Sequence, residues 1–393
     1  MRQQFRLTEK WLVCGLALIS LLLHLAIISH GNQLIFDENY YVPEANSIIH
    51  QRELLSPEHP SLGKLFIALG IYLFGNNPWG DRIFSVIFGV ASVVLFYLIC
   101  RQLGGKRTAL FASFLFIFEN MTFVHSTLAM LDVFSVTFML LSFLLYLRNR
   151  YALSGISIAL SGLCKMTGLL GALVILAHWY LTERVRDTRS IGFFLLSGIL
   201  AFFLLMPVFD FAATGEWLNP FSRVYQMSFI SGVATTGELT PEALSIVSYP
   251  WEWILNPIPR GAHYQPGYLH YNAIITPTIW ALIIPSMGYM LYESVKNKRD
   301  LSLFSLLWFS GTYLLWIPIQ LLTNRITYLF YFLPTVGAIC LAIGFIASRV
   351  WGIATEAKDS PLRYLTVPII AYLLLHVGLF FAFSPLPASL SGL

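Results

Sequence analysis

The chain reads as an all-α polytopic membrane protein, a bundle of about eleven transmembrane helices with interfacial helices in its first outer loop. Three observations carry this reading. Hydrophobic residues fill 57% of the 393 positions and charged ones only 11%, against about 25% charged in a soluble domain, and the mean hydropathy is +0.70. Apolar runs close to the roughly 20 residues that span hydrocarbon recur along the whole chain. The basic residues divide unevenly between the two faces those runs create.

The first span, Trp11 to Ser29, follows Arg2, Arg6 and Lys10. A signal peptide has a shorter core and a small-residue cleavage site, so this span is expected to be retained. Further spans are expected at 82–100, 108–121, 131–147, 151–164, 167–182, 190–208, 272–292, 301–321, 326–348 and 364–384. The run Leu65 to Phe74 is too short to cross and is read as an interfacial or re-entrant helix.

With this arrangement seventeen of the 24 lysines and arginines share one side, and Arg52, Lys64, Arg82, Lys165, Arg223, Arg260 and Arg325 take the other. The excess of positive charge marks the cytoplasmic face, which places the N-terminus inside and the C-terminus outside. Two long loops, about 30–81 and 209–271, then lie outside, while the inner connections are short and basic. No 20–50-residue period repeats, so residues 1–393 are expected to form a single transmembrane catalytic domain with its chemistry on the outer face.

Cys14, Cys100, Cys164 and Cys340 form no CxxC pair and are expected to be small core residues. The chain has no GxxxxGK[ST] loop, so a nucleotide is not expected to drive the reaction. No nucleic-acid partner is expected.

The outer loops concentrate charged and polar groups. The first opens on Phe36-Asp37-Glu38-Asn39-Tyr40-Tyr41. Adjacent carboxylates beside a membrane span are costly to desolvate, and two readings stand: functional carboxylates, or an Asp37 that merely caps a short helix over 38–53. Glu58 and His59 follow in Pro57-Glu-His-Pro-Ser-Leu-Gly-Lys64, where the prolines impose an extended approach and Lys64 falls in the next helix's first turn. Arg82 opens the second span; it could snorkel to headgroups or pair with Asp81 or a carboxylate of the first loop.

His125 and Asp132 sit where spans three and four meet, shortly after Glu119, and Lys165 marks the junction of spans five and six. Arg325 opens the tenth span. The second loop adds Ser248-Tyr-Pro-Trp-Glu-Trp253 and Arg260-Gly-Ala-His263, whose aromatics are expected mostly to form an interfacial belt. Carboxylates, histidines and cations at the outer ends of many spans suit a hydroxyl nucleophile and an anionic leaving group.

These pieces resemble the dolichyl-phosphate-mannose protein O-mannosyltransferases and their bacterial and archaeal relatives, within the membrane-embedded GT-C class. The carrying motifs are FDENYY, PEHPSLGK with a short helix and Leu-Phe-Gly75, DRIFSVIFG with Arg82, STLAMLD with Asp132, GLCKMTG with Lys165 and NRITYLFYFLP with Arg325, in the family's order over roughly 10–345. Ser61 stands where the family has a second proline, and Glu58 directly precedes His59, a pattern closer to prokaryotic relatives that include aminoarabinose transferases. The expected home is a prokaryotic cell membrane (an ER membrane if the chain is eukaryotic).

The resemblance implies an inverting glycosyltransferase that moves mannose from a polyprenyl- or dolichyl-phosphate donor to a Ser/Thr hydroxyl of a protein. Asp37 would be the general base and Glu38 its neighbour that positions the acceptor or tunes the base. Lys165 and Arg325, supported by Arg82, would stabilise the departing phosphate. Glu58, His59, Lys64 and Asp132 would contact substrate. No cofactor is expected to be required; a divalent ion bridging Asp37, Glu58 and Asp132 stays open, since hard oxygen ligands suit one. Membrane lipids are partners, and a dimer is among the arrangements the resemblance implies.

Two other readings stand beside this one: a GT-C transferase acting on a lipid or cell-wall glycan, and a lipid-linked-sugar transporter built on Glu119, His24 or His376.

Overall fold

The computed structural model describes residues 7–30, 33–182, 188–233, 247–256, 258, 271, 274–357 and 360–387. The expected contributions of Arg2, Arg6, Arg260 and His263 lie outside these residues. Every extended element described is a helix. Five are long and apolar enough to cross a bilayer: Pro78–Ile117, Thr188–Thr214, Asp300–Thr323, Leu329–Glu356 and Pro361–Phe383. Leu62–Phe74, Leu131–Leu147, Tyr151–Cys164 and Met166–Leu181 are shorter and equally apolar. The protein is a multi-pass, all-helical membrane bundle.

Helices α1 (Leu7–Leu25), α2 (Glu38–His50), α3 (Leu62–Phe74) and α4 (Pro78–Ile117) build the first half of the site. The turn between α3 and α4 follows directly from its sequence. Gly75 ends α3 at φ +86°, Asn77 caps α4 by accepting from the Trp79 and Gly80 amides at 3.0 and 3.2 Å, and Pro78 occupies the first turn. The two backbones approach closely: a Cβ on Gly70 would lie 2.3 Å from the Gly80 carbonyl oxygen. Gly105, at φ +82°, breaks α4 between the two spans expected at 82–100 and 108–121.

After the short α5 (Asn120–His125), α6 (Leu131–Leu147) and α7 (Tyr151–Cys164) form a hairpin laced by hydroxyls. Ser142 donates to the Ser154 carbonyl at 2.9 Å and Ser161 to the Ser135 carbonyl at 2.6 Å. Small residues that let helices meet and bond are the usual glue inside a membrane. Gly155 serves the same end, since a Cβ there would strike the Phe194 carbonyl oxygen at 2.2 Å. That carbonyl belongs to α9 (Thr188–Thr214), which follows α8 (Leu170–Leu181). Helix Leu329–Glu356 is the axis of the second half, with 89% of its apolar window buried.

Several boundaries differ from expectation. The interfacial helix over 38–53 ends at His50, with Arg52 left-handed at φ 56°. The span at 190–208 continues to Thr214, which places Asp210 within the helix beside Ser61, and α10 (Pro220–Val233) occupies part of what reads as loop. The helix expected at 272–292 begins only at Ile283, after a short turn at Pro277–Trp280. Cys100, Cys164 and Cys340 are buried as expected, whereas Cys14 is exposed on α1.

Candidate active site

The two adjacent carboxylates, Asp37 and Glu38, take opposite roles. Glu38 is fully buried. Its two oxygens accept from Arg82 Nε and Nη2 at 2.8 and 2.7 Å, and the Ile35 and Ala129 amides donate to it at 3.0 and 2.8 Å. Arg82 Nη1 also donates to the Ile28 and His30 carbonyls at 3.1 and 2.9 Å. The first turn of α2 is thereby locked to the end of α1 and the start of α4. A forked arginine–carboxylate pair with its remaining positions filled is the arrangement in which a buried ion pair holds geometry.

Asp37 stands at the N-cap of that helix, yet its side chain makes no capping bond. The capping reading therefore does not account for it. The carboxyl instead lines a cavity of about 550 Å³ together with Tyr40, Tyr41, Glu58, His59, Lys165, Tyr328, Phe330 and Tyr331. Phe36, immediately before it, sits at φ 53°. That conformation is an outlier for a bulky residue, and such strain persists where the surroundings over-determine it. Here Glu38 anchors one side and the Phe36 ring meets Phe330 edge-on at 5.5 Å on the other.

Burial pushes the Asp37 carboxyl up from 3.8 to about 7; Lys165 opposes this, while Asp132 and Glu58 reinforce it. Lys165 is itself buried and bonded to both oxygens of Asp132 at 2.9 and 2.8 Å. Burial alone would lower its ammonium, but Asp132, followed by Tyr331 and Asp37, raises it above its ordinary value, so it stays charged. Its Nζ also lies 4.7 Å from the Phe330 ring centroid. Burial, then the charges of Lys165, Lys64 and Arg325, hold His59 well below 6.5, which keeps it neutral.

Of the nine residues singled out from the sequence, Asp37, Glu58, His59 and Lys165 line this cavity. Asp132 supports it through Lys165. Arg325 is half-buried in the extended segment that leads to Tyr328 and Tyr331, and its guanidinium forms no ion pair among the described residues. Lys64, expected to bind substrate, is instead fully buried against Glu44 at 2.8 Å and the Ser56 carbonyl. Glu38 and Arg82 belong to the lock. No group of three or more His, Cys, Asp or Glu side chains close enough to share an ion occurs among the described residues.

The sequence reading missed the aromatic walls, although Tyr40, Tyr41, Tyr328, Phe330 and Tyr331 all lie within motifs it quoted. It also missed Asp210 and Arg223, which are invisible until α9 and α10 are folded. Asp210 accepts from Ser61 Oγ at 2.5 Å and from Arg223 Nε at 3.3 Å, and Arg223 Nη1 donates to the Pro57 carbonyl at 3.1 Å. The serine that replaces a proline in HPSLGK thus anchors the Glu58–His59 loop through its hydroxyl.

The second loop supports the opposite wall. The Ser248 amide donates to the Thr327 carbonyl at 3.0 Å, and Thr327 Oγ1 returns a bond to the Ser248 carbonyl at 2.7 Å. Trp253 is fully buried against Tyr313 and Phe332 and is not part of an interfacial belt. The residues on which a transporter reading would rest are satisfied structurally. Glu119 accepts the Met121, Thr122 and Thr276 amides, His24 bonds Thr127 at 2.9 Å, and His376 bonds Thr278 and the Leu115 carbonyl at 2.6 and 3.1 Å.

A helical membrane bundle with a carboxyl, a buried lysine and aromatic walls at one cavity has the fold of solved membrane glycosyltransferases. Solved structures share its fold. The Saccharomyces cerevisiae protein O-mannosyltransferase complex bound to the sugar donor matches with a TM-score of 0.77 at 13% identity, over 98% of this chain and 91% of that one. The ArnT enzyme of Cupriavidus metallidurans bound to undecaprenyl phosphate matches with a TM-score of 0.56 at 15% identity, over 96% and 73% of the two chains.

Residues 58–210 match the family model of dolichyl-phosphate-mannose-protein mannosyltransferase. The polyprenol-phosphate-mannose–protein mannosyltransferase of Corynebacterium glutamicum is 22% identical over 96% of this chain and 89% of its own. The protein of the same name from Mycolicibacterium smegmatis is 32% identical over 35% of this chain and 28% of its own. The resemblance expected from the motifs is borne out by the family-model match over residues 58–210.

Proposed function

We propose that this chain transfers mannose from a polyprenyl- or dolichyl-phosphate donor to a Ser/Thr hydroxyl of a protein, at the outer face of the membrane. The observation that carries this reading is the Asp37 carboxyl, free of hydrogen bonds among the described residues and facing the same cavity as a charged Lys165. The acceptor oxygen attacks the anomeric carbon as the bond from that carbon to the phosphate oxygen breaks. Its proton passes to Asp37, and the electron pair leaves with the lipid phosphate. A base whose pKa lies near 7 is matched to neutral pH. One-step displacement inverts the anomeric centre.

The leaving phosphate needs charge stabilisation rather than a proton. Lys165 and Arg325 supply it, Arg325 with a guanidinium that no carboxylate occupies among the described residues. Tyr328 and Tyr331 offer flat faces for a sugar ring. Glu58 and neutral His59 face the same space and are assigned to substrate contact. The N-terminus is cytoplasmic in this reading, in keeping with the asymmetry of basic residues. Relatives named for protein mannosylation favour a protein acceptor over a lipid or cell-wall glycan.

The test is a transfer assay in liposomes with labelled polyprenyl-phosphate mannose, offering Ser/Thr peptides and lipid acceptors side by side. Labelled peptide formed by wild type and lost in Asp37→Asn supports the proposal. Labelled lipid alone moves the chain to the second reading, and transfer undiminished in Asp37→Asn removes Asp37 from the mechanism.

A further inference from the structure

A second cavity, of about 830 Å³, opens on the opposite side of α2 from Asp37. Its volume falls in the range of roughly 300–1,000 Å³ in which small-molecule sites lie. Helix α2 divides the two spaces: Asp37, Tyr40 and Tyr41 face the first, while Asn46 and Ser47 face the second. The turn between α3 and α4 supplies the far wall through Asn76 and Asp81. Nothing in the reaction proposed above uses this space.

The wall chemistry narrows what could fill it. Its arginine, Arg82, already directs Nε and Nη2 to Glu38 and Nη1 to two carbonyls, so it has no free face for an anion. The aromatic ring on its wall is the His50 imidazole, whose Nδ1 is bonded to the Asn46 carbonyl at 2.9 Å; no Phe, Tyr or Trp lines the cavity. What remains is a set of neutral groups that both donate and accept. Asn46 donates to the Val42 carbonyl at 3.0 Å and keeps its amide oxygen available; Gln51 accepts from Ser47 at 3.3 Å and keeps its amide nitrogen. Asn76 is exposed on the rim with no hydrogen bond among the described residues.

One further group points to a ligand. Asp81 is 5% exposed, and its Oδ1 is buried with no hydrogen-bond partner among the described residues. Buried polar atoms are nearly always paired, so an orphaned carboxyl oxygen on a cavity wall needs an account. A hydroxyl donated from inside the cavity would supply the missing bond.

We propose that this cavity binds a neutral saccharide, whose hydroxyls donate to Asp81 and Asn46 and accept from Asn76 and Gln51. It is a site separate from the transfer cavity, and a glycan held there lies one helix away from Asp37. The proposal concerns binding alone and stands whether or not the chain transfers mannose. The saccharide can come from a glycosylated polypeptide or from a glycolipid, and both sources present the same hydroxyl chemistry.

The experiment is saturation-transfer NMR on the full chain in nanodiscs, titrating α-1,2-mannobiose, maltose and cellobiose. Saturable binding in the millimolar range is expected for at least one of them. The paired change Asn46→Ala with Asn76→Ala is expected to weaken it about tenfold, as the loss of one or two hydrogen bonds would. Asp37→Asn leaves it unchanged.

Because Asp81→Asn alters the start of a spanning helix, the Asn46 and Asn76 changes, one on a helix surface and one on an exposed turn, keep the test independent of folding. Repeating the titration with a mannosylated serine peptide and with a glycolipid in the bilayer identifies the source by which binds more tightly. The proposal is overturned if no disaccharide binds saturably, or if inorganic phosphate displaces the bound sugar. It is equally overturned if binding survives the Asn46 and Asn76 changes but is lost in Asp37→Asn.

Discussion

Asp37→Asn separates stability from activity. The fold holds the Asp37 carboxyl at about 7 instead of 3.8, chiefly by burial. A folded-state pKa above the unfolded one means that the folded chain prefers the protonated form. The associated stability is fully present below pH 3.8 and is lost as pH rises towards 7. At about 1.4 kcal/mol for each pH unit, the Asp37 carboxyl with its raised pKa costs the fold about 4 kcal/mol at pH 8, where it stays ionised, and about 2 kcal/mol at pH 5.5, where folding protonates it. Asparagine resembles the protonated acid in shape and carries no charge, so the variant should be more stable than wild type, and more so at pH 8.

Transfer should fall by about 10²–10⁴ in the same variant, the usual worth of a positioned general base. Denaturant unfolding in detergent at the two pH values, with transfer measured on the same preparation, reads both quantities. A variant less stable than wild type at pH 8, or a gap that does not shrink on acidification, would refute the claim that this carboxylate is held desolvated.

The pH profile of kcat/KM should show an acid limb with a midpoint near 7, with the rate about tenfold below its plateau at pH 6; a flat profile from pH 5.5 to 8 would exclude Asp37 as the base. Arg325→Gln should lower transfer by about 10²–10³ and leave the unfolding midpoint unchanged, because the side chain has no ion-pair partner among the described residues to abandon. Glu38→Gln should destabilise the fold by about 3–5 kcal/mol, since it leaves the Arg82 charge buried without its partner, as denaturant unfolding would show. Gly80→Ala should greatly reduce the folded yield, because its Cβ would lie 1.9 Å from the Gly75 carbonyl oxygen.

The helical, multi-pass character of the chain was legible because helices in a membrane announce themselves by composition. The α3–α4 turn was not drawn from the string, although Gly75, Asn77 and Pro78 leave it one local solution. The Asp37, Lys165 and Arg325 assignments came from motif pieces, and the structure assembles Asp37 and Lys165 at one cavity. What the sequence withheld was pairing. The string left Arg82 open to Asp81 or a first-loop carboxylate without singling out Glu38, 44 residues away, and nothing in it says that Lys64 turns back to Glu44, because those pairs are set by how α2, α3 and α4 cross. Asp210 was read as the edge of a loop because its apolar span was drawn to end at residue 208, whereas the helix runs on to Thr214. Ser61, which looked like a departure from pattern, could acquire a reason only once Asp210 stood opposite it.

The lock formed by Glu38 and Arg82 has a bearing on how loss-of-function screens of this chain would be read. Substitutions at Glu38 and Arg82 would abolish product formation as thoroughly as those at Asp37, yet neither side chain lines the cavity that Asp37 faces. Such a screen would draw a wide patch of apparent catalytic residues around a single reactive carboxyl. Sorting them requires a second measurement of how much folded protein reaches the membrane. Residues whose replacement empties the membrane form the mounting; those that leave it full and silent are the reactive groups.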